Sequence, residues 1–158
     1  MIGHGHLVHI DFGIVFDTFC TDQQQHAYVR RAGEKGAPDG LAHGLALANR
    51  LQDILMSEFV TGRTGNQILD ALIYTHPLGL HGHAAGPTIG LWDRQDGVPG
   101  AGDYPLWPQT AHSIELQARV PIPEWDGKTV QFMLEEDAWF DGTTCQFLDG
   151  HQTDLWVI

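Results

Sequence analysis

Asp11, Asp22, His76, Glu115 and Glu135 are scattered along the chain, each inside a short segment with its own local pattern. Carboxylates and imidazole are ligands for hard or borderline divalent cations. Brought together, these five would form a two-metal hydrolytic site. Residues 7–13, Leu-Val-His-Ile-Asp-Phe-Gly, read as an apolar strand bearing a carboxylate, and Asp22 ends a second apolar run. If the chain turns at Phe16 and Asp17, Asp11 falls directly opposite Asp22, with Cβ atoms roughly 4.5–5.5 Å apart. Like charges so placed repel, and two divalent cations about 3.5–4 Å apart would convert the repulsion into coordination. The hairpin alone also has a plainer reading, in which Asp22 opens a polar loop with Gln23, Gln24 and Gln25.

Residues 74–90 add three histidines, His76, His81 and His83, among small residues. Imidazole is the commonest metal-binding side chain, and Gly79, Gly82 and Gly86 would let the backbone approach a ligand where a Cβ would clash. Without acids nearby, the same run reads equally well as a polar loop.

Four segments together resemble the pita-bread metallopeptidases, the family of methionine aminopeptidase, aminopeptidase P and prolidase. They are His9-Ile10-Asp11-Phe12-Gly13 with Asp22, His76-Pro77-Leu78-Gly79 with His83, Ser113-Ile114-Glu115, and Leu134-Glu135-Glu136-Asp137. Their order and short spacings agree with the family's, and the phrasing is most similar to bacterial Xaa-Pro aminopeptidase-like members. The resemblance implies an α+β fold with a mostly antiparallel curved sheet and helices packed on one side. Pita-bread domains place several helices and a strand before the first ligand, whereas Asp11 lies ten residues from Met1. The first part of the fold is therefore expected to be missing from an otherwise single catalytic domain over 1–158.

The resemblance further implies that Asp11 chelates one ion, His76 and Glu115 hold the other, and Asp22 and Glu135 bridge both. The ions would be Mn, Co, Zn or Fe. A water shared between them, acidified to hydroxide, would attack the scissile carbonyl of an N-terminal peptide bond, typically Xaa-Pro. Glu115 corresponds to the family's proton shuttle, and His83 to the histidine that donates to the substrate carbonyl. Peptides are the implied substrate and a homodimer a common assembly. Many aminopeptidase P-like members carry an arginine two residues before the last ligand, where this chain has Met133; this bears on preference for proline. The alternative is an inactive fragment or pseudoenzyme that serves as a metal-binding or interaction module.

Two ligand positions have neighbours that compete for them. Glu136 adjoins Glu135, and adjacent strand residues face opposite ways, so only one can reach the site. The family pattern selects Glu135. His81 competes with His83, and the seven-residue step from His76 selects the latter. The histidines at 4, 6, 26, 43, 112 and 151 read as surface or structural.

Composition sets outer bounds. In 158 residues, 42% hydrophobic with five tryptophans, there is enough apolar material for one sizeable core. Twenty acids against eight Lys and Arg give a formal charge of −12, which argues against a nucleic-acid partner. No apolar run is long enough to span a bilayer, and no cationic export signal opens the chain, so the sequence reads as a cytoplasmic protein without a membrane partner. Cys20 and Cys145 read as two free thiols.

The elements that must position the site follow from periodicity. Leu41, Leu45, Ala48, Leu51, Ile54 or Leu55 and Phe59 recur at helical spacing, with Asn49, Arg50 and Asp53 predicted outward. Thr64 is a candidate N-cap for a shorter helix at about 67–72, followed by a brief strand over 73–75 that would deliver His76. Residues 91–108 read as a long irregular loop whose aromatics could wall a substrate cleft. Strands are predicted at about 113–120 and 130–140, and Arg119 is a candidate to clamp a substrate carboxylate.

Overall fold

A computed structural model describes residues 1–75, 84–85 and 101–158, with the side chains of 72–75, 84–85 and 101 left aside. Nine strands and two α-helices are assigned among them. In chain order they are β1 (Leu7–Phe12), β2 (Val15–Phe16), β3 (Phe19–Cys20), β4 (Gln23–Tyr28), α1 (Asp39–Ser57), α2 (Gly65–Thr75), β5 (Ala84–Ala85), β6 (Thr110–Ile122), β7 (Lys128–Phe140), β8 (Cys145–Phe147) and β9 (Trp156–Val157). The main sheet runs β1-β4-β7-β6-β5, with β8 added on β7 and β9 on β4. All of its pairings are antiparallel except β4 with β9. This is the α+β, mostly antiparallel architecture that the family resemblance implies.

The β6–β7 hairpin is its spine, paired without a break from Thr110↔Phe140 to Ile122↔Lys128. Pro123–Trp125 make a 3-10 turn, and Asp126 (φ 55°) and Gly127 (φ 75°) close the hairpin in left-handed conformations. Alternation then divides its residues between two faces. Ile114, Leu116, Ala118, Val120 and Ile122 on β6, with Phe132, Leu134, Ala138 and Phe140 on β7, are buried in the core beneath α1.

Helix α1 supplies Leu41, Leu45, Ala48, Leu51 and Leu55 to that core, the predicted stripe. Gly44 is the point of closest approach, since a Cβ there would lie 2.1 Å from Phe132 Cε2. Asn49 departs from expectation: it is buried, and its Nδ2 donates to the Gln152 carbonyl at 2.8 Å. The C-terminal segment covers that flank of the helix, which periodicity within the helix cannot reveal. Arg50 and Asp53 do point outward.

Helix α2 begins at Gly65, earlier than the expected Gln67, with Thr64 as its cap as expected, and the cap is reciprocal. The Gln67 backbone N–H donates to Thr64 Oγ1 (3.3 Å), and the Thr64 N–H donates to Gln67 Oε1 (3.0 Å), a capping box. The helix runs on to Thr75, so the strand expected over 73–75 is instead its last turn. Ile73, Tyr74 and Thr75 have good strand propensity, but an already capped helix extends at the cost of one residue per hydrogen bond, which outweighs that preference.

Candidate metal centre

The first hairpin turns one residue later than expected. Phe16 pairs with Phe19 around Asp17 and Thr18, and Asp17 takes the left-handed conformation (φ 57°) that a two-residue loop demands and aspartate tolerates. The expected pairing of Asp11 with Asp22 is therefore replaced by Asp11 opposite Gln24. A shift of two residues preserves the face. Asp22 stays on the same side as Asp11, on the diagonal. Nor do the three glutamines form a loop, since Gln23–Tyr28 is strand β4.

The registers of three strand pairs now align. Asp11 on β1 faces Gln24 on β4, Gln24 faces Glu135 on β7, and Glu135 faces Glu115 on β6. Four side chains thus form one transverse row across four strands. Asp11, Asp22 and Glu135 can each offer a carboxylate oxygen within 4.8 Å of the others. Glu115 joins them through Gln24, whose Nε2 lies 3.0 Å from Glu115 Oε1 and 2.8 Å from Glu135 Oε2. His76 and His83 lie outside the described residues.

Burial grades across the row. Asp11 and Asp22 are exposed, Glu115 is half-buried, and Glu135 is only 3% exposed. Burial accordingly pushes the Glu135 carboxyl up to about 7, with Glu115 and Asp22 adding repulsion, against the lowering hydrogen bonds from Ser113 and Gln24. Ser113 Oγ donates to Glu135 Oε1. Asp137, two residues along the same face, is also raised, chiefly by burial, while the Asp22 backbone N–H donates to its Oδ2 at 3.3 Å. A cation supplies what this arrangement lacks, because it favours the charged form of every acid present. Oxygen donors of this kind, open to solvent at Asp11 and Asp22, suit a divalent ion.

Glu136 points the other way, into the helix face. It is as buried as Glu135, and its Oε2 accepts from Gln52 Nε2, which also donates to the Ile114 carbonyl at 2.8 Å. Alternation thus places Glu135, and not Glu136, beside Asp11 and Asp22. Arg119 is exposed on β6, paired with Gln131. Tyr104 and Trp107, from the end of the long loop, are exposed, whereas Leu106 between them is buried; Trp92 lies outside the described residues. Both cysteines are free thiols.

Of the histidines read as structural, His26 and His112 are buried deeply enough for their pKa values to fall to about 4. His9 and Gln24 took no part in the sequence-level site. His9 Nε2 donates to Gln24 Oε1 at 3.0 Å and so fixes the amide with its NH2 toward the acids. The signal that could have found them is period two: His9 and Gln24 share the face of Asp11 and Asp22 once residues 23–28 are read as a strand.

No protein-family profile and no curated protein sequence matches the chain. Solved structures do match its fold. An X-Pro aminopeptidase from Thermotoga maritima MSB8 aligns over 99% of this chain and 43% of its own, with 18% identity and a TM-score of 0.68. An Xaa-Pro dipeptidase from Bacillus anthracis aligns over 99% and 42%, with 20% identity and a TM-score of 0.64. The N-terminal domain of FACT complex subunit SPT16 from Eremothecium gossypii aligns over 99% and 37%, with 15% identity and a TM-score of 0.69. The chain therefore has the pita-bread fold and spans about two fifths of the length of these structures. Among the described residues, no helix is long and apolar enough to cross a membrane.

Proposed function

We propose that this chain carries the ligand-bearing part of a dinuclear metal-dependent peptidase that hydrolyses an N-terminal peptide bond, with Xaa-Pro peptides as substrate. The supporting observation is the convergence of Asp11, Asp22 and Glu135 within 4.8 Å, in a fold like that of X-Pro aminopeptidases. In this reading Asp11 holds one ion, Glu115 and His76 the other, and Asp22 and Glu135 both. Two divalent ions supply an acidified water and a sink for the charge that develops on the carbonyl oxygen. Glu115, half-buried on the rim of the row, accepts the water's proton at a carboxylate oxygen and passes it to the departing amine. His83 donates to the substrate carbonyl from the segment between α2 and β5.

A second reading has its own support. The SPT16 domain shows that the fold also occurs in a subunit named for a complex. Here Ile14, Val15, Phe16 and Phe19 on the β2–β3 hairpin are 59–79% exposed, an apolar patch of the kind that marks protein contacts. In that reading the chain is an interaction module with residual metal ligands.

The test is metal uptake followed by turnover. The metal-free chain is incubated with Mn or Co, its metal content is measured after desalting, and release of the first residue from an Xaa-Pro dipeptide is followed. The peptidase reading expects two ions per chain and turnover that Glu135→Gln abolishes. Bound metal without turnover favours the interaction module, and absence of metal uptake rejects the metal centre.

A further inference from the structure

Gln24 is 1% exposed, and its amide nitrogen lies against three carboxylates from three strands. The distances are 2.8 Å to Glu135 Oε2, 3.0 Å to Glu115 Oε1 and 3.4 Å to Asp11 Oδ2. A carboxamide NH2 has two protons to donate and no capacity to accept or ligate. Its partial positive charge does weakly what a cation does strongly, drawing the acids together against their repulsion. The opposite orientation would aim the amide oxygen at three carboxylates, a repulsive contact, so the amide is held NH2-inward.

An ion shared by Glu115 and Glu135 would bind carboxylate oxygens at about 2.0–2.2 Å, and the NH2 group now bridges one oxygen from each of these acids. An ion among Asp11, Asp22 and Glu135 does not require Glu115 at all. We propose that Gln24 is a positioning residue whose amide stands in for the second cation, so that the centre fills in two separated steps and the second requires the amide to leave Glu115 and Glu135. The inference rests on the reading of these acids as a metal centre. It makes the chain selective for single occupancy at low metal concentration, with the acids kept converged for the second ion.

Titration of the metal-free full chain with Mn(II), followed by the electron paramagnetic resonance of free Mn(II) and by calorimetry, tests this against Gln24→Met. Methionine keeps the length and apolar bulk of the side chain but has no N–H. The wild-type chain is expected to show two resolved affinities. In the variant the second Kd should tighten roughly tenfold or more, since charge-assisted hydrogen bonds no longer have to break. The first should change little, and the metal-free melting temperature should fall. Gln24→Glu, nearly the same shape, should likewise bind the second ion more tightly and recover its melting temperature when Mn(II) saturates it. A residue that only supports the fold would weaken both ions together. A second Kd unchanged or weaker in both variants overturns the role of Gln24 while leaving the metal centre standing. Failure of the wild-type chain to bind Mn(II) rejects the metal centre and this inference with it.

Discussion

Glu135 and Glu136 are neighbours on one strand, equally buried, and burial pushes both carboxyls up to about 7, yet they face opposite sides of the sheet and live among opposite chemistries. Around Glu135 stand Asp11, Asp22 and Glu115, with one serine and one amide as donors. Around Glu136 stand Gln52 and the Gln152 backbone N–H, neutral donors fixed by α1 and the C-terminal segment. A raised pKa therefore does not distinguish a functional acid from a structural one. The sign of the neighbours does: one face gathers like charges that a cation would relieve, and the other has already satisfied its acid with amides.

The largest expected effect separates the faces by packing. Leu134→Ala, in the core beneath the helices, should cost about 2–5 kcal/mol in denaturant unfolding, while Met133→Ala, half-buried on the acid face, should cost much less. Equal costs would mean that both faces are packed.

Metal should act on one face only. At a hundredfold excess over Kd, Mn(II) should stabilise the chain by about 2.7 kcal/mol, seen as a higher melting temperature. Glu135→Gln should remove that gain, and Glu136→Gln should keep it. The comparison breaks if the two variants respond alike.

Their pH response should instead be shared. Both carboxyls have folded pKa values of about 7, above the ordinary 4.5. Folding thus favours their protonated forms: the stability they contribute is fully present below about pH 4.5 and is lost as pH rises through about 7. His26 and His112 act in the opposite direction. Their folded values of about 4 lie below the ordinary 6.5, so their contribution is complete above that value and is lost as pH falls through about 4. In metal-free chain, Glu135→Gln and Glu136→Gln should each flatten the loss between pH 4.5 and 7 in thermal melts. With metal bound, only Glu136→Gln should still do so, because the ions already hold Glu135 ionised.

The smallest effect lies away from both faces. Thr64→Ala removes one half of the α2 cap and should cost about 1 kcal/mol without altering the metal response.

Part of the candidate site was legible because strand alternation is local. The two long strands and the α1 stripe follow from periods of two and 3.6, whereas Glu135 was preferred to Glu136 only through the resemblance to the family pattern. The register of the first hairpin was not legible, because moving a two-residue turn by one position shifts every partner by two and leaves the hydrophobic pattern unchanged. Gln24 was hidden for the same reason. A run of three glutamines carries no face until the strand containing it is known. Asn49 reads as an ordinary outward helix residue in the sequence, and only the C-terminal segment beside it accounts for its burial.

The sequence by itself determined which residue types could hold cations and that neighbours on a strand take opposite faces, since both are properties of side-chain chemistry and backbone pleat. Only the tertiary structure decided that Asp11, Gln24, Glu135 and Glu115 stand in one row. That alignment is set by three hydrogen-bond registers, one of which joins residues more than a hundred apart in the chain, and no local pattern encodes it.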